Sequence, residues 1–203
     1  DIKKMPISET DKLFAKSPYS ATKIAADQIA ESYHSSFNLP VTIVRPFNTY
    51  GPRQSNRAII PTIISQILDG KKLIKLGSLY PTRDFSYIDD TVNGFVAAAV
   101  SKNSIGETFN IGAGYEISIG DLFDVINKLC GSNAKIKTEN IRVRPKSGEV
   151  YRLKADNKKA KRILKWEPRY SGKLGLIEGL KNTIEWFSKD QNLSKYKTDH
   201  YIT

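Results

Sequence analysis

Apolar residues recur three to four positions apart from Ile24 through Ala25, Ile29, Ala30, Tyr33 and Phe37, and the run stops at Asn38-Leu39-Pro40. Ser17-Pro18 stands ahead of it, a capping side chain followed by a residue suited to the first helical turn, so the pattern predicts a long amphipathic helix. Val41-Thr-Ile-Val-Arg45 is short and β-branched, a buried strand of the parallel kind that Pro46 closes, and Phe47 to Arg53 reads as the loop leaving it. The same periodicities predict a helix over Ile59–Asp69 with Gly70 in the left-handed position beyond it, a strand over Lys72–Gly77 and an extended run over Thr82–Ile88. Asp89-Asp90 would cap a helix over Thr91–Val100. Glu107–Ile111 predicts another buried strand and Gly112-Ala-Gly114 a turn; Ser118-Ile-Gly-Asp121 resembles a capping box opening a helix through Leu129 that Gly131 stops. Helices over Asn157–Leu164 and Lys173–Ser188 complete the series. Helix and strand alternate, so the fold class is α/β, with a less regular C-terminal third and no internal repeat. The first 16 residues, polar and carrying Pro6, Ser8, Glu9, Thr10 and Asp11, read as a loop beginning mid-protein.

Composition narrows this picture. With 203 residues, 39% hydrophobic and 26% charged, the chain can bury a core the size of one domain or one and a half, which excludes disorder. No stretch approaches the roughly 18 consecutive apolar residues that cross a bilayer, so no membrane association is expected. One cysteine, Cys130, forms no internal disulfide, and His34 and His200 offer no zinc-type spacing; the expectation is a metal-free, cytoplasmic protein. The net charge of +11 is local: residues 128–173 hold 15 Lys/Arg against 4 Asp/Glu, and the remainder balances at 17 against 17. No aromatic-interleaved basic strand accompanies that stretch, so nucleic acid is not the expected partner.

The candidate chemistry begins with Tyr19 and Lys23, four positions apart on the first helix and so on one face of it. An ammonium beside a phenol favours the phenolate and makes a general base available at neutral pH. By itself the spacing says little: 10 tyrosines and 23 lysines in 203 residues produce about one such pair by chance.

The surrounding motifs change that balance. Ser17-Pro-Tyr-Ser-Ala-Thr-Lys23, Arg45-Pro-Phe-Asn-Thr-Tyr-Gly-Pro-Arg53, Thr82-Arg-Asp-Phe-Ser-Tyr-Ile-Asp-Asp90, and Arg144-Pro145 with Gly148-Glu149 occur in that order. Together they resemble the extended short-chain dehydrogenase/reductases, NAD(P)-dependent epimerases and dehydratases of nucleotide sugars. The resemblance implies the C-terminal part of a Rossmann-type doubly wound sheet plus the smaller α/β substrate-binding domain. Residues 1–57 would complete the Rossmann-type domain, residues 58–203 would form mainly the substrate-binding region, and residues 82–111 would return to the first. It further implies that Tyr19 takes the proton of the sugar 4-hydroxyl while Lys23 holds the nicotinamide ribose. Pro46 and Phe47 would line the cofactor side and Asn48 the sugar nucleotide. Arg83 and Arg144 would grip the diphosphate, with Arg53, Arg57 and Arg152 as further candidates for that anion, a task suited to a planar, permanently charged fork. The implied cofactor is NAD, the implied partner a nucleotide-diphosphate sugar, and the implied assembly a homodimer through the Tyr19-bearing helix.

The sequence also departs from the family. It contains no Gly-x-Gly-x-x-Gly after a strand, so the helix N-terminus that would receive a pyrophosphate is missing, and the chain is expected to be inactive alone. Within the family, Arg53-Gln-Ser, Ile59–Gln66, Lys75-Leu-Gly77 and Thr82-Arg-Asp84 look most like bacterial 4,6-dehydratases of the UDP-N-acetylglucosamine type, which are lyases. A 4-epimerase or a uronic-acid decarboxylase would use the same Tyr19 and Lys23, and a noncatalytic sugar-nucleotide-binding module is the alternative of a different class.

Overall fold

The computed structural model describes residues 5–143 and 149–196. Arg144, Pro145, Gly148 and His200 lie outside the described residues. Among the described residues stand seven α-helices and seven strands, of which the periodicities predict six helices and four strands. The chain opens with α1 (Pro18–Phe37), followed by β1 (Ile43–Pro46), β2 (Asn48–Tyr50), α2 (Ile59–Leu68), β3 (Leu73–Leu76), β4 (Thr82–Tyr87) and α3 (Ile88–Val100). It continues through β5 (Thr108–Ile111), β6 (Glu116–Ser118), α4 (Ile119–Leu129), β7 (Lys135–Thr138), α5 (Lys158–Leu164), α6 (Gly172–Phe187) and α7 (Asp190–Leu193).

Local chemistry sets the ends of α1. The Ser17 hydroxyl accepts from Ser20 N at 3.2 Å while Ser17 N donates to Ser20 Oγ at 2.9 Å, a reciprocal cap in which a second serine takes the usual Glu position. Asn38 ends the helix in the left-handed region (φ 54°), and its N–H returns to His34 O. His34 is structural: its Nδ1 lies 2.7 Å from Leu39 O.

Three small sheets are built on parallel pairs. β1 pairs β5 with Pro46 opposite Ile111, β2 pairs β4 with Asn48 opposite Phe85, and β3 pairs β7. β6 joins the other edge of β4 antiparallel. The segment after Pro46, read from sequence as loop, contains β2. Proline lacks an amide hydrogen for a ladder, Phe47 N still bonds Ile111 O at 2.8 Å, and the next residue joins β4 in a different sheet. β6 and β7, three and four residues long, are too short to show a period of their own.

Buried apolar residues gather into two clusters. The larger lies among α2, α4 and α6 and strands β3, β4 and β6, with Ile60, Ile63, Ile64, Leu122, Ile126 and Leu180 at its centre. The smaller joins Phe109 and Ile111 of β5 to Ala98 of α3 and to Ala160, Leu164 and Trp166. Cys130 packs against the larger cluster as a small apolar residue, and burial pushes its thiol up to about 11.

Two expectations about caps are corrected. Asp89-Asp90 does not cap α3, which already begins at Ile88. Asp90 is buried and accepts instead from Arg169 N at 2.9 Å and Tyr170 N at 2.8 Å, clamping the stretch between α5 and α6, while its carbonyl takes the Trp166 indole N–H. At α4 the Ser118 hydroxyl accepts from Asp121 N, but the Asp121 carboxylate takes the hydroxyl hydrogen of Ser118 at 2.6 Å. One methylene shorter than Glu, it stays at the hydroxyl.

Asp84, fully buried on β4, binds three backbone amides: Oδ1 accepts from Ala113 N, and Oδ2 from Gly114 N and Ala155 N, each at 2.9 Å. Burial outweighs these donors and raises its pKa to about 6. Because the folded value lies above the unfolded one, Asp84 contributes less stability as pH rises from about 4 to about 6, and that component levels off above this window. Asp84→Ala leaves three amides without their partner and is expected to cost at least about 3 kcal/mol in urea unfolding, at roughly 1–3 kcal/mol for each orphaned group. A loss below 1 kcal/mol would show that water replaces the carboxylate.

Candidate active site

Tyr19 and Lys23 share one face of α1, and the Lys23 ammonium sits 5.5 Å from the centre of the Tyr19 ring. The ring is 72% exposed, so the pair faces open space. Four residues further along the same stripe, Asp27 binds Arg45 Nε of β1 at 2.7 Å, and Arg45 also donates to Glu9 O. This pair ties to β1 a 20-residue helix that buries none of its own residues. It anchors the helix beside β1 one residue before Pro46, and α1 runs back from there, so its N-terminal turns lie toward the C-terminal end of β1. In open α/β sheets that end is where ligands bind.

At the same strand end the backbone crosses from β1 to β2. Pro46 is exposed, Phe47 half-buried, and Asn48 donates its side-chain amide to Asp84 O at 3.1 Å. Phe47 lies against Gly112, where a Cβ would collide with the Ala155 methyl, so the turn after β5 comes this close only because it lacks a side chain.

The second group of expected residues surrounds the start of β4. Arg83 is mostly buried: Nη1 donates to Thr82 O at 2.8 Å and Val150 O at 2.6 Å, and Nη2 meets Glu149 Oε1 at 2.9 Å. Glu149, itself buried, also accepts from Val150 N, so the guanidinium is held on a fixed frame. Arg152 binds both oxygens of Glu116, which in turn accepts from the Thr82 hydroxyl at 2.5 Å. Hydrogen bonds from Arg152 hold the Glu116 carboxyl below its ordinary value. Arg53, in the left-handed region (φ 65°), and Arg57 are both exposed in the loop before α2.

The structure thus joins Asn48, Arg83 and Arg152 through β4 and places Tyr19 with Lys23 on α1. Arg53 and Arg57 stand apart on their loop. Sequence reasoning assigned no role to Asp27, Arg45, Asp84, Glu116 or Glu149, the groups that hold the others in place. The signal available was an acidic residue inside an otherwise extended, apolar run, as at Asp84.

Among known proteins, residues 1–178 match the family model for GDP-mannose 4,6 dehydratase. The uncharacterized UDP-glucose epimerase YtcB of Bacillus subtilis (strain 168) is 34% identical over 183 residues, 90% of this chain and 55% of the relative. Human dTDP-D-glucose 4,6-dehydratase is 33% identical over 178 residues, 85% of this chain and 49% of the relative. Among solved structures, UDP-glucuronic acid 4-epimerase from Bacillus cereus, in complex with UDP-glucuronic acid and NAD, aligns with a TM-score of 0.79 at 34% identity, over 89% of this chain and 55% of that one. The chain spans about half the length of the relatives it matches.

If the Arg45–Asp27 pair anchors α1, hydrogen exchange of the α1 amides should run faster than that of α4, and Asp27→Ala should accelerate it further while leaving α4 unchanged. Equal protection of α1 in both proteins would remove the pair from that role.

Proposed function

Because the chain belongs to the nucleotide-sugar epimerase and dehydratase family that the GDP-mannose 4,6 dehydratase model describes, we propose that it carries the catalytic tyrosine and the substrate-binding part of an NAD-dependent nucleotide-sugar 4,6-dehydratase. The observation that carries this reading is the exposed Tyr19–Lys23 pair, held by Asp27 and Arg45 beside the strand end where Asn48 begins β2.

The residues present fit one end of the cofactor. A hydroxyl and an ammonium stand together on an open helix face, next to a strand end closed by Pro46 and Phe47, which suits a nicotinamide and its ribose. The sequence holds no glycine-rich turn for the pyrophosphate. When bound, NAD supplies the acceptor for the C4 hydride and its return. Tyr19 Oη, as the phenolate, takes the proton of the sugar 4-hydroxyl, and Lys23 keeps a cation against the ring that favours this ionised form beforehand. Asn48, fixed through Asp84 O, orients the sugar nucleotide, while Arg83 and Arg152 present rigid cations to its diphosphate. Elimination of water across C5 and C6 gives a 4-keto-5,6-alkene, and return of the hydride to C6 with a proton at C5 leaves a 4-keto-6-deoxy sugar. The motif run from Arg53 to Asp84 favours this outcome. A 4-epimerase is the second reading, supported by the 34% identity to the B. subtilis UDP-glucose epimerase. In the complete enzyme the exposed Ile29, Tyr33 and Phe37 of α1 support a homodimer through that helix.

Incubating the complete enzyme with NAD and UDP-N-acetylglucosamine or dTDP-glucose should give a 4-keto-6-deoxy product by NMR; a C4 epimer as the sole product would replace the dehydratase reading. Tyr19→Phe should lower kcat by about 10²–10⁴-fold with KM little changed, the range for loss of a general acid–base group, and an unchanged kcat would remove Tyr19 from catalysis. Calorimetric titration of these 203 residues with NAD should show no micromolar binding, and finding it would overturn the view that they hold only one end of the cofactor.

A further inference from the structure

Tyr196 follows α7, and its hydroxyl donates to Gln54 O, 142 positions earlier, at 3.0 Å. The segment that carries it is held from beneath. The Tyr196 ring lies 4.7 Å from that of Phe187, which is fully buried in the larger cluster, and 6.3 Å from that of Trp186, edge-on at 87°. The buried Asn192 side chain donates to Trp186 O at 2.8 Å and Tyr196 N to Leu193 O at 2.8 Å, so α7 folds the chain back over the end of α6. Burial raises the Tyr196 pKa, which keeps the hydroxyl protonated and a donor at neutral pH.

Gln54 receives that bond in the loop that carries Arg53 and Arg57. Arg53 holds φ 65°, a left-handed conformation that an arginine keeps only where its neighbours constrain it. Gln54 is the constrained neighbour: its carbonyl accepts from Tyr196, and its side-chain amide donates to Thr49 O at 2.6 Å. Thr49 directly follows Asn48 on β2, so the residue beside Arg53 is bonded on one side to the segment after α7 and on the other to the strand that presents Asn48. At the far end of the loop, Thr62 and Ser65 of α2 donate their hydroxyls to the Asn56 carbonyl and side chain at 2.8 and 3.3 Å. Strand and helix thus fix the ends of the loop, and Tyr196 fixes its middle. Arg53 is exposed and, unlike Arg83 and Arg152, is bound to no carboxylate among the described residues, which leaves its guanidinium open to an anion.

We propose that Tyr196 is a positioning residue that holds Arg53 toward the phosphates of the nucleotide sugar, with Gln54 passing on the constraint. The proposal rests on the nucleotide-sugar reading and adds to it a residue that touches neither substrate nor cofactor. Tyr196 lies past residue 178, where the match to the family model ends, so the role belongs to the segment this chain carries beyond that match. Without the hydroxyl, the Gln54 carbonyl loses its partner and the turn at Arg53 opens to other conformations. Part of the binding energy then goes into ordering the loop, and affinity falls.

Kinetics of the complete enzyme with UDP-N-acetylglucosamine, UDP-glucose and dTDP-glucose test this. Tyr196→Phe keeps the ring and removes the hydroxyl: KM for the sugar nucleotide turned over should rise about 2–12-fold, the range for one hydrogen bond, with kcat within twofold. Arg53→Ala should raise KM at least as much, and adding Tyr196→Phe to it should change KM by less than twofold, because the positioned group is gone. Hydrogen exchange over residues 53–58 should quicken in Tyr196→Phe while α4 stays unchanged. KM unchanged in either single variant, or the full Tyr196→Phe effect persisting beside Arg53→Ala, would overturn the positioning role and leave the nucleotide-sugar reading standing. So would a Tyr196→Phe enzyme that melts well below the parent and loses kcat at constant KM, since the hydroxyl would then serve stability alone. Failure of the unmutated enzyme to turn over any of the three sugars would overturn that reading and the positioning role with it.

Discussion

The carboxylate of Asp84 closes three separate parts of the chain onto one strand. It holds Ala113 and Gly114 from the turn after β5 and Ala155 from a stretch 71 positions away, and the carbonyl of the same residue receives the Asn48 side chain. A carboxylate so deeply buried is tolerated because its oxygens meet amide hydrogens that no sheet or helix would otherwise satisfy. The adjacent residue is Arg83, so the order imposed by Asp84 is passed directly to a largely buried cation. Glu149 and the Val150 carbonyl then fix the guanidinium from the other side.

The candidate site lies along a seam between sheets. β1 hands the chain to β2 at Pro46, where one ladder cannot continue and another begins, so the residues flanking that proline sit at a strand end rather than within a layer. α1 reaches the seam with little packing of its own and depends on the Arg45–Asp27 pair for its direction. The chemistry-bearing groups divide accordingly: the exposed phenol and ammonium on the loosely packed helix, the arginines on the tightly bonded strand. Loose packing on one side and rigid bonding on the other suit a site where one wall receives a second large ligand and the other orients the substrate.

The parts of this arrangement that follow a period were legible in the sequence. The helical spacing of Ile24 to Phe37, the β-branched run at Val41 to Arg45 and the Ser17-Pro18 start appear in the structure within two residues of their expected bounds. The Tyr19–Lys23 pair on one helix face also followed from spacing alone. What escaped was long-range pairing. β2, β6 and β7 exist because a partner strand elsewhere offers hydrogen bonds, and three or four residues carry no alternation of their own. Asp90 illustrates the same limit. Its place before an apolar helix suggested a local cap, yet its oxygens bind amides 79 and 80 positions away, and nothing near residue 90 records that. Arg83 and Arg152 were identified as cations for an anion, but the acids that hold them, Glu149 and Glu116, are distant in sequence and came to light only with the fold.

Side chains along a strand alternate between faces, and β4 uses this to keep two duties on neighbouring positions: Arg83 bonds Glu149 and the Val150 carbonyl, Asp84 the amides of 113, 114 and 155. A combinatorial library over this part of the surface therefore has a natural partition. Positions 80 and 151 sit on the outer surface and are open to randomisation, whereas Arg152 holds Glu116 and is kept. Position 84, and the glycine at 112 that lets the neighbouring backbone come close, should be left untouched in every clone.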